Sequence, residues 1–162
     1  MSELYDLLLI AHSFMRWWVL VACVAAASYA VGTTGSRTPA TQARDLRIGR
    51  GWVLSVDVQV LLGMSLYFAF SPLPRAARQL WATRGWLALW ADPLLRFFGL
   101  IHPALALSAA FVTHAAWVAV RRAESSRARR RWLGLGAALA LAILLAAVPW
   151  PVLGHERPWF RF

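Results

Sequence analysis

Two histidines stand in segments that are otherwise apolar enough to cross a membrane. His12 lies in HSFMRWW, one helical turn before Arg16, and His102 lies in GLIHPALA, directly before a proline. An ionisable side chain is costly in hydrocarbon and usually has a function there. Asp57 and His114 interrupt apolar stretches in the same way. A functional interpretation of the chain has to account for these polar residues first.

Two neutral imidazoles facing each other in an apolar helical bundle are the ligand set of a six-coordinate b-type haem. We therefore interpret His12 and His102 as candidate axial ligands. Arg16, one turn from His12, would pair with a haem propionate, which offsets much of the cost of burying its charge. Pro103 removes the amide that would bond the Gly99 carbonyl, so a bend beside His102 is expected to make room for a flat ligand. The chain has no CxxCH motif for covalent haem attachment.

Other interpretations of the same residues stay open. His12 alone is also typical of a side chain that hydrogen-bonds a neighbouring helix. His12 and His102 could instead handle a metal ion such as copper, although no Met or Cys cluster accompanies them. Asp57 and His114 indicate an interhelical ion pair or hydrogen bond more than a metal site, because two ligands do not complete a coordination shell. A proton-relay or quinone-headgroup role is the alternative for this polar pair.

The composition indicates how these residues are positioned. Hydrophobic residues make up 60% of the 162 residues, and ten residues are tryptophan. A water-soluble core of this size cannot absorb so much apolar surface, so we predict an all-α membrane protein with one integral membrane domain over 1–162. Four stretches reach the length of about 20 residues that a spanning helix needs. Helices are expected at about 5–31, 52–70, 93–120 and 132–148.

Arginines flank the predicted spans and indicate orientation. Arg-rich short loops stay on the cytoplasmic side, which places the first and third connections there and both termini outside. Tryptophans in the middle connection favour a helix lying in the outer interface. The net charge of +10 does not indicate nucleic-acid binding, because the arginines do not form a patch interleaved with aromatics. The first connection carries Arg37, Arg44, Arg47 and Arg50, and the third carries Arg121, Arg122, Arg127 and Arg129–Arg131. The tryptophans of the middle connection are Trp81, Trp86 and Trp90.

Depth along the helices predicts which polar residues meet. Short connections favour an up-down-up-down bundle. With a rise of 1.5 Å per residue, His12 lies about 8 Å and His102 about 12 Å inside the outer starts of their helices, so the two rings can meet. Asp57 and His114 lie about 8 and 9 Å from the inner ends of theirs by the same measure, so they form a second predicted pair.

The order of motifs resembles a largely uncharacterised family of small four-helix bacterial inner-membrane proteins, some of them labelled cytochrome b-like. The similarity is carried by HSFMRWWVL, DVQVLLGMSLYFAFSP, HPALALSAAFVTHA, and VPWP followed by RPWF, and it covers nearly the whole chain. It implies a multi-pass protein of the bacterial inner membrane, with family positions at His12, Arg16, His102 and His114. The family often has a histidine where this chain has Asp57, so a second haem opposite His114 is not expected here.

Two functions follow as expectations. The first is a b-type haem-binding subunit that transfers electrons to or from a quinone or a periplasmic partner, as a component rather than a stand-alone enzyme. The second is a cofactor-free accessory subunit of a larger membrane complex, respiratory or other, whose polar residues fasten the helices together. His155 lies in the tail and is expected to be solvated. No nucleophile with a base and no phosphate loop is present, so no catalytic residue is predicted.

Overall fold

A computed structural model describes residues 2–32 and 38–150 of the chain. These residues form helices and no strands, which confirms the predicted all-α membrane class. Four helical segments are long and apolar enough to cross a membrane: Glu3–Gly32, Pro39–Phe70, Pro93–Arg122 and Ser126–Ala147. The α-helices are α1 (Ser2–Gly32), α2 (Pro39–Ser65), α3 (Pro72–Ala91), α4 (Pro93–Arg96), α5 (His102–Arg122) and α6 (Ser126–Ala147). Single π-helical turns follow α2, at Leu66–Phe70, and α4, at Phe97–Ile101.

The second helix begins at Pro39, well before the start predicted at Trp52. Thr38 caps it: its hydroxyl accepts from the amide of Thr41 at 3.2 Å, and the Thr41 hydroxyl accepts from the amide of Thr38 at 3.0 Å. Proline at the first helical position has a backbone already suited to the helix. α6 likewise starts before its apolar stretch, at Ser126. Hydropathy located the apolar parts of these helices and missed the turns before them, which carry arginines.

The spanning helices pack in the order α1, α2, α5, α6 around the bundle. α6 contacts α5 and α1 extensively, and α2 contacts α1 and α5, so α1 and α5 lie on a diagonal. The core that they enclose includes Trp52, Val120 and Leu133, each at most 1% exposed. α5 and α6 approach closely because Gly136 lies against Ala116, where a Cβ on the glycine would clash. This packing determines which side chains face the interior.

A helical segment, α3, does lie between the second and third spans, as the sequence predicted. Gly85 divides it, with φ 81° and ψ 178°, a conformation that favours glycine. The Trp86 and Trp90 rings stack at 5.5 Å, and Trp81 meets Trp86 edge to face at 6.2 Å. All three tryptophans are exposed on the surface of the bundle. Amphipathic rings presented in this way are typical of a membrane interface.

Candidate functional site

His12 of α1 and His102 of α5 lie against each other across the diagonal of the bundle. Their ring centroids are 6.2 Å apart, and the ring planes are inclined by 71°. A cavity of about 160 Å³ adjoins both rings. Arg16 and Gln59 also line it, and the remaining walls are mostly apolar side chains from all four spans. The structure thus brings together the two histidines and the arginine that the sequence singled out.

A proline shapes the backbone beside His102. Pro103 has no amide hydrogen, so the carbonyl of Gly99 lacks its helical donor. The Tyr67 hydroxyl, from the π turn after α2, donates to that carbonyl at 2.9 Å. The backbone of Phe97–Ile101 forms the second π turn directly before His102. π turns of this kind are frequent at functional sites.

His102 is held by the end of α6. Its Nδ1 donates a hydrogen bond to the carbonyl oxygen of Ala147 at 2.7 Å. That carbonyl belongs to the last residue of α6, and the chain becomes extended at Val148, with φ −68° and ψ 129°, so no helical amide follows to bond it. Because Nδ1 carries the proton, the lone pair of the ring is on Nε2. The Phe97 and Phe98 rings lie 5.9 and 6.0 Å away and give the imidazole an apolar setting.

His12 is positioned by α2. Its Nε2 lies 3.3 Å from Nε2 of Gln59. Its ring lies over Gly63, where an added Cβ would stand 3.2 Å from Cε1 and 3.6 Å from Nδ1. Nδ1 itself is buried and has no hydrogen-bond partner within the described ranges. His12 therefore has a buried nitrogen beside the cavity that the surrounding protein does not satisfy.

Gln59 is a site residue that the sequence interpretation missed. It stands two residues after Asp57 on α2 and therefore on another face of the helix. The available signal was the spacing of Gln59 and Gly63, which places an amide and a small residue one turn apart on the same face. A polar side chain next to a glycine on a spanning helix is typical of a face that receives another helix.

Arg16 lies where the sequence placed it, one turn from His12 and in the wall of the same cavity. Its guanidinium carbon is 5.2 Å from the centroid of the Trp17 ring, within the range of a cation–π contact. Trp17 meets Trp150 edge to face at 6.3 Å. These contacts tie the arginine to the end of the fourth span, so that its charge borders the cavity instead of pointing into lipid.

Asp57 and His114 also meet. Nε2 of His114 and Oδ1 of Asp57 are 2.8 Å apart, joining α5 to α2. The side chain of His114 is 51% exposed and that of Asp57 is 45% exposed, so the pair lies on the outer surface of the bundle. The sequence predicted their proximity, whereas only the packing shows that they face outward and away from the histidine cavity.

A second buried polar cluster was not anticipated from the sequence. Asp45 of α2 is fully buried, with Arg129 Nη1 and Arg130 Nε of α6 each 3.6 Å from its carboxylate. The hydroxyl of Tyr29 on α1 donates to Asp45 at 2.8 Å. The two arginines had been assigned to a charged connection flanking the membrane. They lie inside α6 instead and join three helices at the arginine-rich end of the bundle.

The donor set available for a metal ion is small. Within residues 2–32 and 38–150, no three His, Cys, Asp or Glu side chains gather at one point. His12 and His102 therefore supply two nitrogens, which do not complete the coordination shell of a bare metal ion. Cys23 is fully buried as a small core residue. His155 lies outside the described residues.

Comparison of this chain with protein-family models, curated protein sequences and solved structures finds no match.

Proposed function

We propose that this protein is a b-type haem-binding membrane subunit that transfers electrons, with His12 and His102 as axial ligands. The observation that carries the proposal is that two imidazoles from different spans adjoin one cavity whose other walls are mostly apolar. Their ring centroids are 6.2 Å apart and their planes are inclined by 71°. If haem is bound, these two side chains would hold its iron.

The hydrogen bond from His102 to Ala147 supports this assignment. Histidines that ligate metals usually donate their second nitrogen to a carbonyl or carboxylate, which fixes the tautomer and raises the basicity of the ligand. His102 does so through Nδ1, at 2.7 Å. His12 in turn keeps a buried Nδ1 beside the cavity that has no hydrogen-bond partner in the described part of the chain.

The remaining residues have roles that follow from their positions. Arg16 would pair with a propionate at the cavity wall, and the apolar lining would exclude water and solvate the macrocycle. When bound, haem supplies one-electron redox chemistry. A benzene-sized cavity has a volume of about 150 Å³, so a porphyrin requires the side chains around the 160 Å³ cavity to move apart.

A cofactor-free accessory subunit is the second candidate. The hydrogen bonds of the described histidines favour it, because each bond joins two helices: His12 to Gln59, His102 to Ala147, and His114 to Asp57. Such bonds stabilise a bundle without any ligand. On this alternative, the exposed tryptophans of α3 would contact a larger complex.

The wider setting belongs to the same proposal. The resemblance noted above favours a small four-helix family of the bacterial inner membrane. The arginine distribution favours an up-down-up-down arrangement with both termini on the periplasmic side and α3 in the outer interface. A quinone or a periplasmic protein would then exchange electrons with the subunit. Copper or other metal-ion handling by His12 and His102 is less favoured, since no third His, Cys, Asp or Glu side chain of the described residues joins the two rings.

The decisive experiment is an absorption spectrum of the detergent-purified protein. We expect a reduced-minus-oxidised haem band that is lost in His12→Ala and in His102→Ala. His114→Gln is the matched control: it alters a histidine of the same span as His102 and should keep the band. A colourless, haem-free preparation with full helical content would overturn the proposal and favour the accessory subunit.

A further inference from the structure

Asp57 and His114 stand well inside the segments that cross the membrane. Asp57 is seven residues beyond Arg50, and His114 is seven residues before Arg121, so each lies about 10 Å along its helix from the nearest arginine of the flanking cluster. The hydrocarbon core is about 30 Å thick. The pair therefore lies at the depth of the acyl chains and not at the headgroups.

At that depth, the pair faces outward. The side chains of Asp57 and His114 remain about half exposed on the surface of the bundle. Leu54, Leu61 and Phe111 surround them and are 61%, 68% and 76% exposed. We call the surface formed by Leu54, Asp57 and Leu61 of α2 and by Phe111 and His114 of α5 the Asp57–His114 face.

Ionisable side chains within spans almost always face the bundle interior or a water-filled cavity, because contact with lipid is costly. The internal hydrogen bond satisfies only part of this pair. It uses Nε2 of His114 and Oδ1 of Asp57, while Nδ1 and Oδ2 take no part in it. Each side chain therefore keeps one polar atom that this bond does not use. Such atoms at this depth indicate that another polypeptide covers the face.

We propose that a second copy of this chain covers the Asp57–His114 face. An acid and an imidazole on one surface are self-complementary: under a two-fold axis, the acid of one copy meets the imidazole of the other, and the reverse. All copies insert in the same orientation, so the axis runs along the membrane normal and residues at equal depth meet. Asp57 and His114 are at equal depth because they are bonded to each other.

The proposal predicts a dimer in bilayers whose strength depends on these two residues. The probe is single-molecule subunit counting of fluorescently tagged protein in phospholipid vesicles over a range of protein-to-lipid ratios. Asp57→Ala and His114→Ala should each weaken dimerisation by roughly ten- to a hundredfold, as expected for the loss of two interhelical hydrogen bonds per dimer. Leu139→Ala, at an exposed position of α6, is the matched control and should leave the dimer unchanged.

Mixing the two variants separates a bond between copies from one within a copy. In a mixed dimer of Asp57→Ala with His114→Ala, the remaining acid and imidazole are on different copies and can pair only across the interface. Co-expressed with different tags, the two variants should form heteromers about threefold or more above the statistical proportion. A monomeric wild-type protein at every ratio, or a statistical mixture, would overturn the proposal.

A cross-linking arm keeps the test independent of the folding of those variants. Phe111→Cys lies one turn from His114 with the pair intact, and Cys23 is buried and stays in place. Oxidation should link Phe111→Cys copies and not Leu139→Cys copies. If the wild type instead co-purifies in fixed stoichiometry with a different protein that is lost in Asp57→Ala, the occupant is that protein and the second-copy proposal is wrong. The outcome does not depend on whether haem is bound.

Discussion

The imidazole of His102 donates a hydrogen bond to the main-chain carbonyl of Ala147, at 2.7 Å and 45 residues away in the chain. The bond ties the start of α5 to the end of α6. The carbonyl belongs to the last residue of α6, where the chain becomes extended and the main-chain acceptors have no following helical amide. The Gly99 carbonyl is left without its helical donor by Pro103 and accepts from Tyr67. A helix end and a proline thus give side chains access to main-chain acceptors near the histidine.

Replacing His102 separates its structural contribution from ligation. His102→Phe leaves the Ala147 carbonyl without its donor and should lower the free energy of unfolding by about 1–2 kcal/mol. His102→Asn retains an N–H group near the position of Nδ1 and should lose less stability, while still losing any haem band. Denaturant titration in detergent micelles, followed by circular dichroism, measures both. Equal stability of His102→Phe and the wild type would contradict this prediction.

Gly63 should be sensitive to added volume because the His12 ring lies over it. In Gly63→Val, the side chain would displace the imidazole, and overpacking of this kind costs about 1–3 kcal/mol of unfolding free energy. Gly51 provides the control, since no atom lies within 4 Å of its added Cβ. Gly51→Ala should be neutral or raise stability by up to about 1 kcal/mol. Thermal unfolding of both variants in the same detergent tests the difference.

Asp45 should be essential for stability. In Asp45→Asn, the guanidinium groups of Arg129 and Arg130 lose the carboxylate that lies 3.6 Å from each. Breaking a buried ion pair from one side costs about 3–5 kcal/mol, because it leaves uncompensated charge. Tyr29→Phe removes only one hydrogen bond and should cost about 1 kcal/mol. Unfolding midpoints of the two variants should therefore differ clearly, and similar midpoints would argue against a tightly coupled cluster.

The contact between Gly136 and Ala116 should control how closely α5 and α6 pack. Gly136→Val forces the helices apart and should cost at least about 1–3 kcal/mol. Because α6 also carries Ala147, the separation should weaken its bond to His102. Hydrogen exchange measured by mass spectrometry would report faster exchange at the start of α5 and the end of α6. Gly51→Val, on an open surface of α2, should leave that exchange unchanged.

Much of the arrangement followed from the sequence because depth in a membrane is a one-dimensional quantity. Apolar runs locate four spans, and the rise per residue places His12 near His102 and Asp57 near His114. The structure finds both pairs in contact. The class of protein and the elements that carry these residues were therefore accessible without coordinates.

The tertiary structure decided everything that depends on rotation about the helix axes and on lateral neighbours. Only the structure shows that Gln59 contacts His12 and that His102 bonds the Ala147 carbonyl. It also shows that Arg129 and Arg130 lie beside Asp45 and that the Asp57–His114 pair faces outward. Hydropathy does not predict which side of a helix faces the other helices, because lipid and the interior of a membrane bundle are similarly apolar. Side-chain packing over all the spans together sets which face of each helix points inward. No single sequence motif predicts that packing.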